Sequence, residues 1–293
     1  MLELRSRLLG ALRAFFAARG FVEIDPPVLV RAPAPEPHID AVPVRGGWLR
    51  TSPELHMKRL LARGLPRIYS IGPCFRAGER TARHREEFCL LEWYRADADY
   101  RDLMLDVELL LRQAAQAAIG GEVFRYQGRG VDLGIVERRT VREALATEAG
   151  IADPDSLDDD RWSVAIGTQV EPKLGRGRLT ILADYPISQG GLARRHPDDP
   201  HTVERFEAYV EGIELANGWS ELTDPAEQRA RFERDRARRA VMGKDDYPLD
   251  EEFLTELSKV GRAAGIALGV DRLVMLLADR AEMGDVLAFD ERD

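Results

Sequence analysis

The stretch GIALGVDRLVML, residues 265–276, changes character in its middle. Residues 265–270 form a short apolar run flanked by glycines, which is typical of a buried strand. The charged pair Asp271 and Arg272 follows, and an apolar segment with helical spacing continues to residue 280. We therefore predict a strand that runs directly into a helix, with Asp271 as a candidate N-cap.

An arginine at this junction is unusual for a core element. A guanidinium group matches phosphate oxygens, which accept two parallel charge-assisted hydrogen bonds. The glycines beside Arg272 would let a ligand approach the backbone closely. Arg76 interrupts an apolar context in the same way at the end of another predicted strand. For either arginine alone, a surface salt bridge is the alternative interpretation.

Further strands are predicted around this junction. Residues 67–75 and 87–96 alternate apolar and polar side chains on either side of the arginine-rich segment 76–87, which predicts a long antiparallel hairpin. Residues 178–186 read as a buried strand, and residues 201–222 as two strands joined near Gly212 or near Asn217 and Gly218. Residues 21–30 have strand character, but Pro26 and Pro27 restrict them to an edge or an interface.

Helical patterns lie between and beside these strands. We predict helices over residues 2–19, 52–64, 99–120, 225–243 and 271–280. Residues 140–171 read as helical around an acidic loop, and residues 121–135 give no clear pattern. The helix at 225–243 is highly charged and is expected to be mostly solvated. Mixed helices and antiparallel strands predict an α+β fold.

The bulk composition sets limits on the class of protein. The chain has 293 residues, of which 44% are hydrophobic and 32% charged, and no linker or repeat divides it, so we expect one domain over residues 1–293. A net charge of −9 argues against a dedicated nucleic-acid binder, since phosphate contacts require cations. The local arginine cluster still permits a small anionic ligand.

Targeting signals and cysteine motifs are weak. Cys74 and Cys89 sit in apolar surroundings without a metal-binding pattern, as expected for thiols in a reducing compartment. The N-terminus is charged and amphipathic rather than a signal peptide, and no apolar run is long enough to span a membrane. We therefore expect a cytoplasmic location.

Carboxylates in packed segments are a second sign of chemistry. Glu207, Glu214 and Glu221 recur at seven-residue spacing on predicted strands. Clustered carboxylates of this kind suit Mg²⁺ with nucleotide phosphates, or an ammonium group. Glu54 and Glu92 lie in otherwise packed segments, where a carboxylate needs a cationic partner such as a ligand or an internal arginine. A solvated stripe is the alternative for the first three.

The order of these features resembles the catalytic domain of class II aminoacyl-tRNA synthetases. ARGFVEIDPPVL is similar to motif 1, FRAGERTARHREEFCLLEWY to motif 2 and GIALGVDRLVML to motif 3. TSPELHMKRLL, LEWY and GIELANGWSELTD resemble the lysine-specific subgroup. The chain is identified within it as a truncated paralogue of lysyl-tRNA synthetase, similar to the elongation factor P–(R)-β-lysine ligases, because motif 1 begins almost at Met1 and leaves no room for an anticodon domain.

The resemblance implies roles for matched positions. Arg76 and Arg272 would be the catalytic residues, binding the α- and γ-phosphates of ATP. Metal ligands for Mg²⁺ would be Glu207 and Glu214. The ATP site would comprise Arg76, Ala77, Gly78, Glu79, His84, Arg85, Phe88, Glu214, Leu215, Gly269 and Arg272. The amino-acid site would comprise Ser52, Pro53, Glu54, Glu92, Tyr94, Asn217, Trp219, Glu221 and Ala267.

The implied reaction is an ATP-dependent, AMP-forming ligation. Its substrates would be β-lysine or lysine, with elongation factor P as the protein acceptor, and motif 1 implies a homodimer. Ala267 replaces the glycine usual in lysyl-tRNA synthetases, and its methyl group would reshape the amino-acid pocket. A tRNA partner is not expected, although an enzyme charging tRNA or another acceptor is one alternative.

Motif 2 departs from the synthetase pattern. The usual RNE is RAG here, with Glu79 one residue later, and the usual HNPEF is HREEF, with Arg85 in place of asparagine. Both changes fall on the adenine side of the expected ATP site. A second alternative is therefore a catalytically silent regulatory paralogue, against which the presence of Arg76, Arg272, Glu214 and Glu221 argues.

Overall fold

A nine-stranded, mostly antiparallel sheet organises the chain. The computed structural model describes residues 1–290, apart from the side chain of Asp159, so the last three residues of the predicted domain lie outside the described residues. The strands are β1 (Val22–Glu23), β2 (Leu29–Val30), β3 (Pro43–Val44), β4 (Gly47–Leu49), β5 (Arg67–Phe75), β6 (Glu87–Ala96), β7 (Val123–Tyr126), β8 (Arg129–Thr140), β9 (Arg178–Pro186), β10 (Thr202–Val210), β11 (Ile213–Ser220) and β12 (Ala263–Gly269).

Among residues 1–290, eight α-helices surround the sheet. They are α1 (Leu2–Ala17), α2 (Glu54–Ala62), α3 (Tyr100–Ile119), α4 (Val141–Ala149), α5 (Asp159–Val164), α6 (Pro225–Val241), α7 (Glu251–Glu256) and α8 (Val270–Leu277). A π-helical turn, Ala165–Val170, continues α5, and short 3₁₀ turns lie at Pro154–Ser156, Glu171–Lys173, Ile187–Gln189, Leu257–Lys259 and Met283–Val286. In the described part of the chain, none of the helices combines the length and apolar character that a membrane span requires.

The strand order explains where the site lies. The large sheet runs β1-β5-β6-β12-β11-β10-β9-β8-β7, and a small sheet runs β2-β4-β3. Two of the strand pairs in the described part of the chain are parallel, β1 with β5 and β8 with β9. Thus β6, β12 and β11 are central neighbours, and the segments resembling motifs 2 and 3 are hydrogen-bonded to each other.

The two faces of the sheet have different roles. Helices α1 and α3 cover one face and pack apolar side chains such as Leu12, Phe16 and Leu111 against Trp93 and Ile266 of the sheet. Because side chains alternate along a strand, the neighbours of Trp93 and Ile266 point to the opposite face. That face carries charged and polar residues, and it forms the candidate site.

The structure decides several points that the sequence left open. Residues 121–135, which gave no clear pattern, belong largely to the hairpin β7–β8. The turn between β10 and β11 is at Glu211 and Gly212, the first of the two alternatives, where both residues have positive φ. Helix α6 is mostly solvated, as predicted, although its polar side chains Gln228, Arg231 and Arg239 are buried.

The candidate N-cap of the last helix is wrong. Gly269, not Asp271, caps α8. The Asp271 carboxylate instead accepts hydrogen bonds from the backbone N–H of Cys89 at 2.6 Å and from Nη1 of Arg5 at 2.5 Å. Asp271 therefore joins the start of α8 to β6 and α1, which places the neighbouring Arg272 on the site face.

Candidate active site

A cavity of about 370 Å³ lies on the polar face of the sheet. Its floor is formed by alternate residues of β6, β12 and β11, and α2 forms one wall. In the registers of these strands, Ala267 stands between Glu92 and Asn217, and Gly265 between Tyr94 and Trp219. The pairing of three strands thus brings five residues of the predicted amino-acid site to one place.

One end of the cavity is lined by carboxylates. Glu92 accepts hydrogen bonds from the Ser52 hydroxyl at 2.7 Å and from the Tyr94 hydroxyl at 3.1 Å. Burial, reinforced by the neighbouring Glu54, raises the pKa of the Glu92 carboxyl to about 8. A cation entering here would favour the ionised form, because opposite charges stabilise it.

Glu221 lies beneath this end rather than on its surface. Its side chain is fully buried, and its Oε2 atom accepts a hydrogen bond from Nε1 of Trp219 at 3.1 Å. Glu221 Oε1 is buried without a hydrogen-bond partner in the described part of the chain. An oxygen in that state is costly unless a ligand or a water molecule pairs with it.

The opposite end of the cavity carries the arginines. Arg272 donates from Nη1 to the Glu214 carbonyl oxygen at 2.8 Å and from Nη2 to His84 Nε2 at 2.5 Å. Burial, Arg272 and Arg76 lower the pKa of His84 to about 4, so the imidazole is neutral and can accept this bond. Arg272 is thereby held in one orientation facing the cavity.

Arg76 makes fewer contacts with the protein than Arg272 does. Its guanidinium lies over the Phe88 ring, 5.0 Å from the centroid, and its Nη1 atom is 3.8 Å from Glu79 Oε1. Arg76 Nε is buried and has no hydrogen-bond partner among the residues that the structure describes. A buried N–H donor on a cavity wall suits an anionic ligand.

Residues of the loop that resembles motif 2 form hydrogen bonds and an ion pair within the protein. Arg85 forms an ion pair with Asp290 at 2.6 Å and donates to the Thr81 carbonyl oxygen at 2.6 Å. The backbone N–H groups of Ala77 and Gly78 donate to the Asp40 carbonyl and to Glu86. Arg85 lies on the cavity wall, whereas Ala77 and Gly78 lie outside the lining.

The two predicted metal ligands are in different environments. Glu207 accepts hydrogen bonds from the hydroxyl groups of Tyr185 and Tyr209, from Arg205 and from Asn217. The Glu214 carboxylate faces Arg272 at 3.4 Å and is 36% exposed. No group of three or more His, Cys, Asp or Glu residues within the described part of the chain has the arrangement of a metal site.

Glu207 and Glu214 differ in their capacity to bind Mg²⁺ directly. Because four donors already occupy the Glu207 oxygens, Glu214 is the carboxylate that fits as a direct ligand. Mg²⁺ commonly binds through one or two carboxylates together with substrate phosphates and water. The residues therefore fit a metal ion that arrives with a nucleotide, and they do not form a preformed metal cage.

Comparison with known proteins identifies the family. The family model for tRNA synthetases class II (D, K and N) matches residues 1–293. The chain belongs to this family. Its mostly antiparallel sheet flanked by helices confirms the predicted fold class.

Relatives place the chain within the class II family. Elongation factor P–(R)-β-lysine ligases of Vibrio cholerae serotype O1 and Vibrio atlanticus are 37% and 38% identical to it, each over 98% of this chain and 94% of their own length. The ligase of that name from Proteus mirabilis is 37% identical over 97% of this chain and 93% of its own length. The predicted family and the enzyme class, an ATP-dependent amino acid ligase, are confirmed.

Most of the predicted class II site residues meet in the cavity. Those on its lining are Arg76, Glu79, His84, Arg85, Phe88, Glu214, Leu215, Gly269, Arg272, Ser52, Glu54, Glu92, Tyr94, Asn217, Trp219, Ala267 and Glu207. Those outside it are Ala77, Gly78, Pro53 and Glu221. Their roles remain predictions.

Sequence reasoning missed other residues of the class II cavity. Glu36, Arg205 and the loop residues Gly190–Leu192 line it, and Lys58 is buried directly beneath it. Arg205 could have been predicted, because it lies two residues before Glu207 and therefore shares the same face of β10. Lys58 also gave a signal, because it follows Glu54 by one helical turn.

Proposed function

We propose that the protein activates (R)-β-lysine with ATP as an aminoacyl-adenylate and transfers it to a lysine side chain of elongation factor P. The main support is the division of one cavity into two ends, with two arginines at one end and buried carboxylates at the other. A diamino acid and a triphosphate would bind there with their reacting groups between the two ends. The names of the curated relatives support this choice of amino acid and acceptor.

In the first step, a carboxylate oxygen of the amino acid attacks the α-phosphorus of ATP and pyrophosphate leaves. Arg76 would stabilise the charge on the α-phosphate, while Arg272 would bind the departing phosphates. Mg²⁺, when bound through Glu214 and the phosphates, would neutralise part of that charge. No covalent enzyme intermediate is required, because positioning both substrates supplies much of the acceleration.

In the second step, the uncharged amine of the acceptor lysine attacks the acyl carbonyl of the adenylate. The new amide bond forms, AMP leaves with the bonding electrons, and the acceptor nitrogen loses a proton to solvent or to a nearby base. Cytoplasmic location and a homodimer are part of the same proposal.

The first experiment is ATP–pyrophosphate exchange with (R)-β-lysine, with α-lysine and without an amino acid. Exchange strongest with (R)-β-lysine, followed by a mass increase of elongation factor P, is the expected result. Preference for α-lysine and transfer to tRNA would instead favour the synthetase-like alternative. Absence of exchange with both amino acids would exclude the proposal and favour a silent paralogue.

A matched pair of variants tests the arginine assignment. Arg272→Gln should lower exchange by at least about 100-fold, which corresponds to the loss of roughly 3 kcal/mol of transition-state stabilisation. Arg234→Gln, on the exposed face of α6, serves as the control for removal of one positive charge. Equal activity of the two variants would contradict the role of Arg272.

A further inference from the structure

A buried lysine lies beneath the carboxylate end of the cavity. Lys58, on α2, has a side chain that is 1% exposed. Its Nζ atom is 2.5 Å from Glu54 Oε1 and 2.5 Å from Glu221 Oε2. Glu54 is one helical turn before Lys58, whereas Glu221 follows β11, so a single ammonium group connects two separate elements.

The electrostatics of this arrangement keep Lys58 charged. Burial alone would lower the pKa of the ammonium group, but Glu221 and Glu54 outweigh that effect and raise it. The ring of Trp219, with its centroid 5.8 Å from Nζ, covers another side of the cation. Removal of one partner of such a buried ion pair strongly destabilises the protein, because the other charge is left buried without compensation.

The lysine occupies only one oxygen of each carboxylate. Glu221 Oε1 has no hydrogen-bond partner in the part of the chain that the structure describes, and Glu54 lines the cavity. Gly265 faces Glu221 Oε1 closely, since a Cβ atom at that position would be 2.6 Å from it. The lysine therefore fixes two carboxylates while leaving acceptor capacity on both.

The net charge of the carboxylate end favours a ligand with two positive charges. Three carboxylates, Glu54, Glu92 and Glu221, surround this end, and Lys58 supplies one positive charge. When all are ionised, two negative charges remain uncompensated. A diamino acid carries two ammonium groups, so its charge complements that excess.

We propose that Lys58 is a positioning residue for the amino-acid substrate: its ammonium group holds Glu54 and Glu221 so that their remaining oxygens receive the ammonium groups of a diamino acid. This inference rests on the proposed function and deepens it. Lys58 acts through the two carboxylates and makes no contact with ATP. Its loss should therefore affect the amino acid selectively.

The test compares Lys58→Gln with wild type in ATP–pyrophosphate exchange. Glutamine can still donate hydrogen bonds but carries no charge. We expect the KM for (R)-β-lysine to rise at least about tenfold, while the KM for ATP changes less than about twofold, because an uncharged side chain holds the two carboxylates less firmly. Lys259→Gln, an exposed change of the same type, is the control.

A second readout uses 3-aminohexanoic acid, which is β-lysine without its distal ammonium group. Wild type should prefer (R)-β-lysine strongly, and Lys58→Gln should reduce that preference at least about tenfold, since displaced Glu54 and Glu221 carboxylates would bind the distal ammonium group less well. A KM and a preference both within twofold of wild type would overturn the inference.

Chemical rescue keeps the test decisive if Lys58→Gln does not fold. In Lys58→Ala, the space left by the side chain can admit ethylammonium, which should lower the KM for (R)-β-lysine toward the wild-type value. Lack of any rescue in a folded Lys58→Ala protein would overturn the inference. Absence of exchange in wild type would instead reject the proposed function, and calorimetric binding of (R)-β-lysine would then test Lys58 separately.

Discussion

Gly265 lies where the floor of the cavity has no space for a side chain. A Cβ atom there would overlap the Tyr94 ring and approach Glu221 Oε1 to 2.6 Å. Tyr94 and Glu221 are themselves buried and cannot withdraw into solvent. This single backbone position therefore controls how closely two predicted amino-acid-binding side chains pack.

Gly265→Ala should impair use of the amino acid more than use of ATP. We expect at least a tenfold rise in the KM for the amino acid and a loss of about 1–3 kcal/mol in the free energy of unfolding, because overpacking forces neighbours to shift. Exchange kinetics and urea denaturation measure the two effects. Gly10→Ala is the control, since its Cβ meets nothing within 4 Å and alanine favours a helix. An unchanged amino-acid KM in Gly265→Ala would contradict the packing argument.

Glu92 should release a proton when the amino acid binds. With a pKa of about 8, its carboxyl group is mainly protonated at pH 7 in the free protein. An arriving ammonium group favours the ionised form, so binding expels protons and the affinity falls as the pH decreases below about 8.

Calorimetry in two buffers of different ionisation enthalpy measures this release. Glu92→Gln should remove most of it, and Glu87→Gln, an exposed change on the same strand, should retain it. Binding that exchanges no protons in wild type would show that Glu92 is already ionised or does not meet the ligand.

At the scale of elements, Arg239 of α6 anchors the loop that precedes β3. Its guanidinium donates to the carbonyl oxygens of Glu36 and Ile39, each at 2.8 Å, and forms an ion pair with Asp40 at 2.9 Å. The Arg239 side chain also lies over the Tyr247 ring, 4.1 Å from its centroid. Because Glu36 and Ile39 line the cavity, a helix far along the chain positions part of the cavity wall.

Arg239→Met should therefore destabilise the protein and loosen this wall. Removal of the guanidinium leaves the Glu36 and Ile39 carbonyl oxygens without their donor, and the loss of a hydrogen bond to a charged group costs about 1.5–3 kcal/mol, which urea denaturation would detect. Substrate KM values should rise as well, because the loop is no longer fixed. Arg234→Met, an exposed change on the same helix, is expected to leave stability within about 0.5 kcal/mol of wild type. Similar stabilities for the two variants would refute the anchoring role.

At the scale of the whole molecule, the strands near the N-terminus expose apolar side chains. Val22 of β1 is 49% exposed and Leu29 of β2 is 51% exposed. Val44 of β3 is also exposed. Apolar exposure on short strands is typical of an interaction surface, and a twofold-symmetric contact there agrees with the proposed homodimer.

Leu29→Glu should convert a dimer into a monomer. The introduced charge would be buried without a partner if this surface meets its symmetry mate. Sedimentation equilibrium measures the mass in solution. Val241→Glu, at a position that is 90% exposed at the end of α6, should leave the mass unchanged. A wild-type protein that sediments as a monomer would contradict the homodimer proposal itself.

The sequence by itself determined the main elements and most of the candidate site. The switch from a glycine-flanked apolar run to a helix at residue 270 predicted β12 and α8, since short-range periodicity reflects local burial. Motif order then placed Arg76, Glu92 and Arg272 in one cavity, as the structure has them. Residues 121–135 escaped prediction because β7 is the edge strand and neither β7 nor β8 shows a regular alternation of buried and exposed residues.

Only the tertiary structure decided which charges meet. Arg239 belongs to a helix that was expected to be mostly solvated, but it is buried against a loop distant in sequence. Lys58 is likewise buried, and its partner Glu221 is distant in sequence. In the same way, Glu207 resembled a free metal ligand until β9, β10 and β11 surrounded it with four donors. The local sequence shows whether a side chain is polar, but long-range packing decides which group it meets. That partner matters because a buried charge is stable only beside a complementary group.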